Sequence, residues 1–177
     1  MGENVAGDFP RITVVGHDRP GIIAQAAAIL ADCGMNLEDS SMTLLRGHFA
    51  MTLICAGAAD AARVEAALQP LADDSLDVAV REVANDHDQR PFGDSYLVTV
   101  HGADRLGIVA RLTGVIAEAG GNITDLTTRL SSGLYVLLAE VDLPASAQVD
   151  ALRARLAEVS AELGVDAGLR LLENDEL

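Results

Sequence analysis

The densest set of chemically useful residues is Gly16-His17-Asp18-Arg19-Pro20-Gly21-Ile22. It lies between a short apolar run, Arg11-Ile12-Thr13-Val14-Val15, and a longer one from Ile22 to Cys33. The first run reads as a strand and the second as a helix. A strand-to-helix junction presents unpaired backbone N–H groups at the helix start, and these can hold a carboxylate or a phosphate. Pro20 is expected in the first helical turn, where a missing N–H costs nothing. Gly21 lets a ligand or a neighbouring backbone come close.

The same pattern returns as Gly102-Ala103-Asp104-Arg105-Leu106-Gly107-Ile108, displaced by 86 residues. That displacement also carries Gly34 onto Gly120, Asn36 onto Asn122, Asp39 onto Asp125 and Gly47 onto Gly133. One offset shared by so many polar and glycine positions marks an internal duplication. The copies differ where Leu106 stands for Pro20 and Ala103 for His17. The second loop is therefore less constrained and lacks a polar side chain, so the copies either differ in affinity or include one that is purely structural.

The chemistry such a loop suits is the capture of a zwitterion. Helix-start and loop amides would take a carboxylate. A backbone carbonyl, the Asn36 side-chain oxygen or a carboxylate such as Asp39 would take an ammonium. Two readings stand at each position. Asp18 either contributes to a ligand site or caps the helix. Asn36 and Asn122 either contact ligand or stabilise the turn after the helix-ending glycines. Asp39 and Asp125 are either ligand contacts or turn and interface residues. Arg19 either meets an acidic ligand group or pairs with a surface carboxylate.

Catalysis and metal chemistry are not expected. The chain has no GxSxG, Walker A, HExxH or CxxC motif, and Gly16 to Gly21 is not GxGxxG. His17 has Asp18 beside it but no second His or Cys at ligand spacing, while His48, His87 and His101 fall on a turn, a linker and a strand. No cofactor is expected.

The elements that must hold these residues are legible from pattern. Strands are expected at about 11–16, 36–45, 49–56 and 75–84, with helices at about 20–33 and 60–73. Ile22, Ala26, Ile29, Leu30 and Cys33 share one face of the first helix at helical spacing. Arg46-Gly47-His48 reads as a hairpin turn. Phe49, Met51, Leu53 and Cys55 alternate with Ala50 and Ile54 in a strand apolar on both sides, as is a central strand or one in a sheet whose second face meets another domain. Residues 85–94, polar with one Pro and one Gly, read as a linker. The unit restarts with strands at about 95–101, 122–131, 134–141 and 165–173 and helices at about 106–119 and 145–163. Pro144 stands just before the last helix. The order strand, helix, strand, strand, helix, strand defines an α+β fold. Each half is a ferredoxin-like βαββαβ unit, a four-stranded antiparallel sheet with two helices on one face. The domains are placed at 10–84 and 95–174.

Composition narrows the partners. There are 27 acidic residues against 12 basic ones, all arginine, for a net charge of −15. A chain so acidic repels a phosphate backbone, so direct nucleic-acid binding is not expected. Aromatics are 3% of a sequence that is 50% hydrophobic, so two small cores must be built from Ala, Val, Ile and Leu. Small cores gain from docking on one another, which favours a homodimer. Cys33 and Cys55 lie in apolar runs and read as free thiols of a reducing cytoplasm. No membrane span and no signal peptide is expected.

Asp18-Arg19-Pro20-Gly21-Ile22 with Gly34-Met35-Asn36-Leu37-Glu38-Asp39, set on a βαββαβ pattern, resembles the ACT domain family of small-molecule regulatory modules. Asp104-Arg105-Leu106-Gly107-Ile108 with Gly120-Gly121-Asn122-Ile123-Thr124-Asp125 resembles it again. A chain of two such units, covering about 10–173, is similar to the glycine cleavage system transcriptional repressor family. The resemblance implies an amino acid ligand held between domains, touching loop 16–22 with Asn36 and Asp39, and loop 102–108 with Asn122 and Asp125. It implies sheets paired side by side, and control exerted through a protein partner, a regulator or an enzyme, without gripping DNA. The alternatives are a constitutive interaction module without ligand, and a regulatory subunit acting in trans on an enzyme of amino acid metabolism.

Overall fold

The computed structural model describes residues 9–83 and 93–172. The chain divides into two compact units, Met1–His87 and Asp88–Leu177. The first contains β1 (Phe9–His17), α1 (Ile22–Asp32), β2 (Met35–Leu45), β3 (His48–Gly57), α2 (Ala61–Leu68) and β4 (Leu76–Val83). The second repeats the order with β5 (Ser95–Ala103), α3 (Ile108–Glu118), β6 (Asn122–Ser131), β7 (Leu134–Asp142), α4 (Val149–Leu163) and β8 (Val165–Leu171). The sheets run β2-β3-β1-β4 and β6-β7-β5-β8, with every pairing antiparallel. The duplicated ferredoxin-like α+β fold expected from the sequence is the fold observed. Most of the stretch read as a linker, residues 85–92, lies outside the described residues.

Burial follows the two periodicities. Ile22, Ala26 and Leu30 of α1 are buried, as are Ile108, Leu112, Val115 and Ile116 of α3. Phe49, Met51, Leu53 and Cys55 of β3 point into the first core, while Ala50, Thr52 and Ile54 face the side without helices. Among the described residues Phe49 and Tyr96 are the buried aromatics of the two cores, and Tyr135 packs against the second. Met35, Met51 and Cys55 supplement the aliphatic residues of the first.

Among the boundaries that differ from the expected ones, five have a clear local reason. Helices α1 and α3 begin at Ile22 and Ile108 because Gly21 and Gly107 are their N-caps, with φ of 94° and 88°. A left-handed residue cannot be part of a right-handed helix, so Pro20 stands outside the first turn and not within it. Helix α2 stops at Leu68, because Pro70 has no N–H to continue the ladder. The chain tightens instead into a single 3-10 turn, Gln69–Leu71, which still buries Leu71. Helix α4 begins at Val149. Leu143 is still paired with Asp94 and Gly93 in the manner of the sheet, and Pro144 then heads a turn closed by the Ala147 N–H at 2.8 Å. Strand β5 runs on to Ala103, two residues beyond expectation, paired throughout with β7.

Two hairpins close the sheets at the loop end. Arg46 and Gly47 both have positive φ, as do Ser132 and Gly133, the backbone of a type I′ turn. Strands β2 and β6 each carry a bulge, at Glu38 and Thr124, next to Asp39 and Asp125.

Candidate ligand site

The β1–α1 junction is built by close approach at one end and an unusual backbone at the other. Gly16 lies against β4 so tightly that a Cβ there would stand 2.0 Å from the Ser75 carbonyl oxygen. That carbonyl accepts the His17 N–H at 2.8 Å, and the Asp18 N–H reaches the Gly47 carbonyl at 3.1 Å. The loop thus leaves the sheet from a fixed point. Gly21 then turns into α1 in the left-handed region, where an L side chain is strained.

No side chain caps α1 or α3. Asp18 therefore does not act as the helix cap. The first intrahelical bonds are made by Gln25 to Gly21 and by Arg111 to Gly107. The amides of Ile22, Ile23 and Ala24, and of Ile108, Val109 and Ala110, have no intrahelical acceptor. Neither first turn carries an acidic residue. No capping side chain and no acidic residue of the first turn answers the partial positive charge of either helix start.

In the second unit this helix start lines an open cleft of about 530 Å³, bounded by Asp104, Arg105, Leu106, Gly107, Ile108, Val109, Ala110 and Tyr135. Its size lies within the range of small-molecule sites. Leu106 is fully exposed on the rim. Tyr135 was not among the residues singled out by sequence. The signal available was the 86-residue displacement, which maps it onto Phe49, a buried core residue of the first unit. Tyr135 keeps the ring half-buried and adds a hydroxyl.

Arg19 and Arg105 part company. Arg19 Nη2 lies 3.3 Å from Asp73 Oδ2 and 3.4 Å from the Leu71 carbonyl, so it pairs with a surface carboxylate and ties the loop to the turn before β4. Asp73 is itself held below the ordinary carboxylate range, first by bonds from the Ser75 hydroxyl and amide, and less by Arg19. Arg105 lines the cleft.

Within a unit the fold separates the two halves of the expected site. His17 pairs with His48 at one end of β3, whereas Asn36 pairs with Ala56 near the other. Eight residues of strand span roughly 26 Å. Asp39 opposes Ile54, also far from the loop, and Asn122 and Asp125 oppose Asp142 and Glu140 in the second unit. Both asparagines are exposed and extended, and neither makes a side-chain bond to its own turn among the described residues. The loop residues and the Asn/Asp residues of one unit therefore do not meet.

The structure also joins what the sequence scatters. His48 is the cross-strand partner of His17, with ring centroids 4.9 Å apart. Cys33 and Cys55 are free thiols, and burial, then the Glu38 charge, pushes the Cys55 thiol up and away from nucleophilic character. Among the described residues no three His, Cys, Asp or Glu groups converge, and no helix is long and apolar enough to cross a membrane.

A family model of the ACT domain matches residues 11–81 and again 95–169. The glycine cleavage system transcriptional repressor of Escherichia coli (strain K12) is 29% identical over 119 residues, 67% of this chain and 63% of that protein. The match thus spans less than two thirds of that relative. A crystal structure of an unknown protein from Galdieria sulphuraria superposes with a TM-score of 0.80 at 28% identity, covering 93% of this chain and 98% of that one. A crystal structure of a candidate glycine cleavage system transcriptional repressor superposes with a TM-score of 0.68 at 22% identity, covering 94% and 98%. At that identity it speaks for the fold alone.

Proposed function

The chain belongs to the ACT domain family, and from that membership we infer a regulatory protein that binds an amino acid or a similar small molecule and signals to a protein partner. The observation that carries the reading is the cleft at the β5–α3 junction. Its lining includes the three residues whose amides lack an intrahelical acceptor, and no acidic residue occupies that first turn. A ligand carboxylate would complete the helix start. Asp104 on the same lining would take the ammonium, and Arg105 would meet an acidic side chain or the second carboxylate oxygen.

The two units then play unequal parts. The β1–α1 loop is tied down by Arg19 to Asp73, while the β5–α3 loop keeps its arginine on the cleft. The second unit is read as the principal sensor, with Asp104, Arg105, Leu106, Gly107 and Ile108 as contacts. The first-unit loop, Gly16 to Ile22, offers the weaker site.

Asn36 with Asp39, and Asn122 with Asp125, lie too far along their own strands to touch ligand at their own loop. They contribute only where a unit other than their own presents them, and the reading takes a homodimer as the binding form. Ligand would favour one packing of copies over another. Equal affinity for both would transmit nothing. The −15 charge directs the output to a protein surface in preference to DNA or RNA. The free thiols suit a reducing cytoplasm. Regulation of transcription, in the manner of the repressor relatives, is one output; regulation of an enzyme in trans is the other. No catalytic role is assigned to any residue.

The test is calorimetry and thermal shift of the full chain against the common amino acids. A saturable response lost in Asp104→Asn and preserved in Arg19→Ala supports the reading. No saturable response to any of them, in a folded protein, reduces the chain to a constitutive interaction module.

A further inference from the structure

His17 ends β1 and His48 opens β3, and the antiparallel register sets them directly opposite each other. Their ring centroids are 4.9 Å apart and the ring planes are inclined by 34°. Both side chains are exposed, and neither is paired with a carboxylate among the described residues. His101 differs in this respect, with Nε2 3.7 Å from Asp166 Oδ2.

The backbone under the pair is braced on both sides. The His17 N–H is bonded to Ser75 O and the Asp18 N–H to Gly47 O. The turn at Arg46-Gly47 closes the hairpin immediately before His48. Opposed residues on antiparallel strands project from one face with Cβ atoms about 4.5–5.5 Å apart. From that spacing, small rotations about the side-chain bonds bring one nitrogen of each ring to about 2.0–2.1 Å from a common ion. Little chain entropy is lost, because the strands already hold the two side chains together.

We propose that His17 and His48 form a two-imidazole site for a transition-metal dication of the Zn²⁺, Ni²⁺ or Cu²⁺ class. Imidazole nitrogen selects these ions over Mg²⁺ and Ca²⁺, which prefer oxygen. With two protein ligands the site is open, and water fills the remaining positions. Binding is accordingly exchangeable, unlike that of a closed four-ligand structural site. The site belongs to the first unit alone, since the 86-residue displacement puts Ala103 and Leu134 at the matching positions. It shares His17 with the first-unit loop but needs no amino acid ligand, and its test uses metal ions alone.

The experiment is isothermal titration of the full chain, free of any purification tag, with CuCl₂, NiCl₂, ZnCl₂ and MgCl₂. The variants His17→Ala and His48→Leu carry the residues that the second unit holds at these positions, and His101→Ala is the control. Saturable binding is expected for the three transition ions, tightest for Cu²⁺, with none for Mg²⁺. It is expected to be lost in His17→Ala and in His48→Leu and kept in His101→Ala. Binding that survives both first-unit variants overturns the proposal, as does a wild-type chain that binds no transition ion. Should either variant fail to fold, histidine NMR signals of the wild type decide. Substoichiometric Ni²⁺ must broaden those of His17 and His48 before those of His87 and His101, and broadening in the reverse order overturns the site.

Discussion

Gly16→Ala is the substitution whose cost can be worked most directly from the structure. A Cβ at position 16 would stand 2.0 Å from the Ser75 carbonyl oxygen, 2.7 Å from Leu76 Cα and 2.9 Å from the Ser75 carbonyl carbon. All three atoms are backbone, so no side chain can rotate away, and β4 must retreat from β1 by about 1 Å or more to restore ordinary contact. Overpacking of this kind costs about 1–3 kcal/mol. The retreating carbonyl is also the acceptor of the His17 N–H at 2.8 Å. Weakening that bond adds about 1 kcal/mol, for a total of about 2–4 kcal/mol. Gly102→Ala is the matched control. There the obstacles are the Val165 Cγ1 at 2.8 Å and the Val165 Cα and Cβ at 3.0 Å, partly a side chain that can turn, so about 1–2 kcal/mol is expected. Urea denaturation followed by circular dichroism gives both differences. If Gly16→Ala proves no more destabilising than Gly102→Ala, the close approach of β1 and β4 does not have the energetic weight assigned to it.

Three further outcomes follow from single contacts. At Gly21 and Gly107 an added Cβ meets nothing within 4 Å, but φ is 94° and 88°. Alanine there should cost only the left-handed penalty, about 1–2 kcal/mol, less than Gly16→Ala in the same denaturation series. Asp60 caps α2 by accepting the Arg63 N–H at 2.8 Å, so Asp60→Ala should lower stability by about 1 kcal/mol, with Asp60→Asn close to wild type. Ser75→Ala removes the hydroxyl bond that most depresses the Asp73 carboxyl, which should then titrate higher by NMR. Because the folded-state value is depressed, Asp73 stabilises the fold at pH above its unfolded value, and that contribution is lost as pH falls through the folded one. Wild type and Ser75→Ala should therefore differ at neutral pH and converge in acid.

The sequence alone determined the architecture, because the determinants are local and appear twice. Ile22, Ala26 and Leu30 recur as Ile108, Leu112 and Ile116 at helical spacing, and β3 and β7 alternate with the period of a sheet. Glycines at fixed offsets mark where the chain must turn. Boundaries were less legible where two local rules compete. Pro20 suits a first helical turn, but Gly21 in the left-handed region comes next and moves the helix start past both.

What only the tertiary structure decided is which distant residues share a place. Cross-strand register brings His48 to His17 and carries Asn36 to the opposite end of the same sheet. Side-chain partners of similar chemistry are chosen the same way. Arg19 finds Asp73 across 54 residues of chain, while Arg105, at the matching position of the repeat, lines a cleft. The physical reason is that periodicity records which face of an element is buried, whereas register and the approach of separate strands depend on how all the elements pack at once.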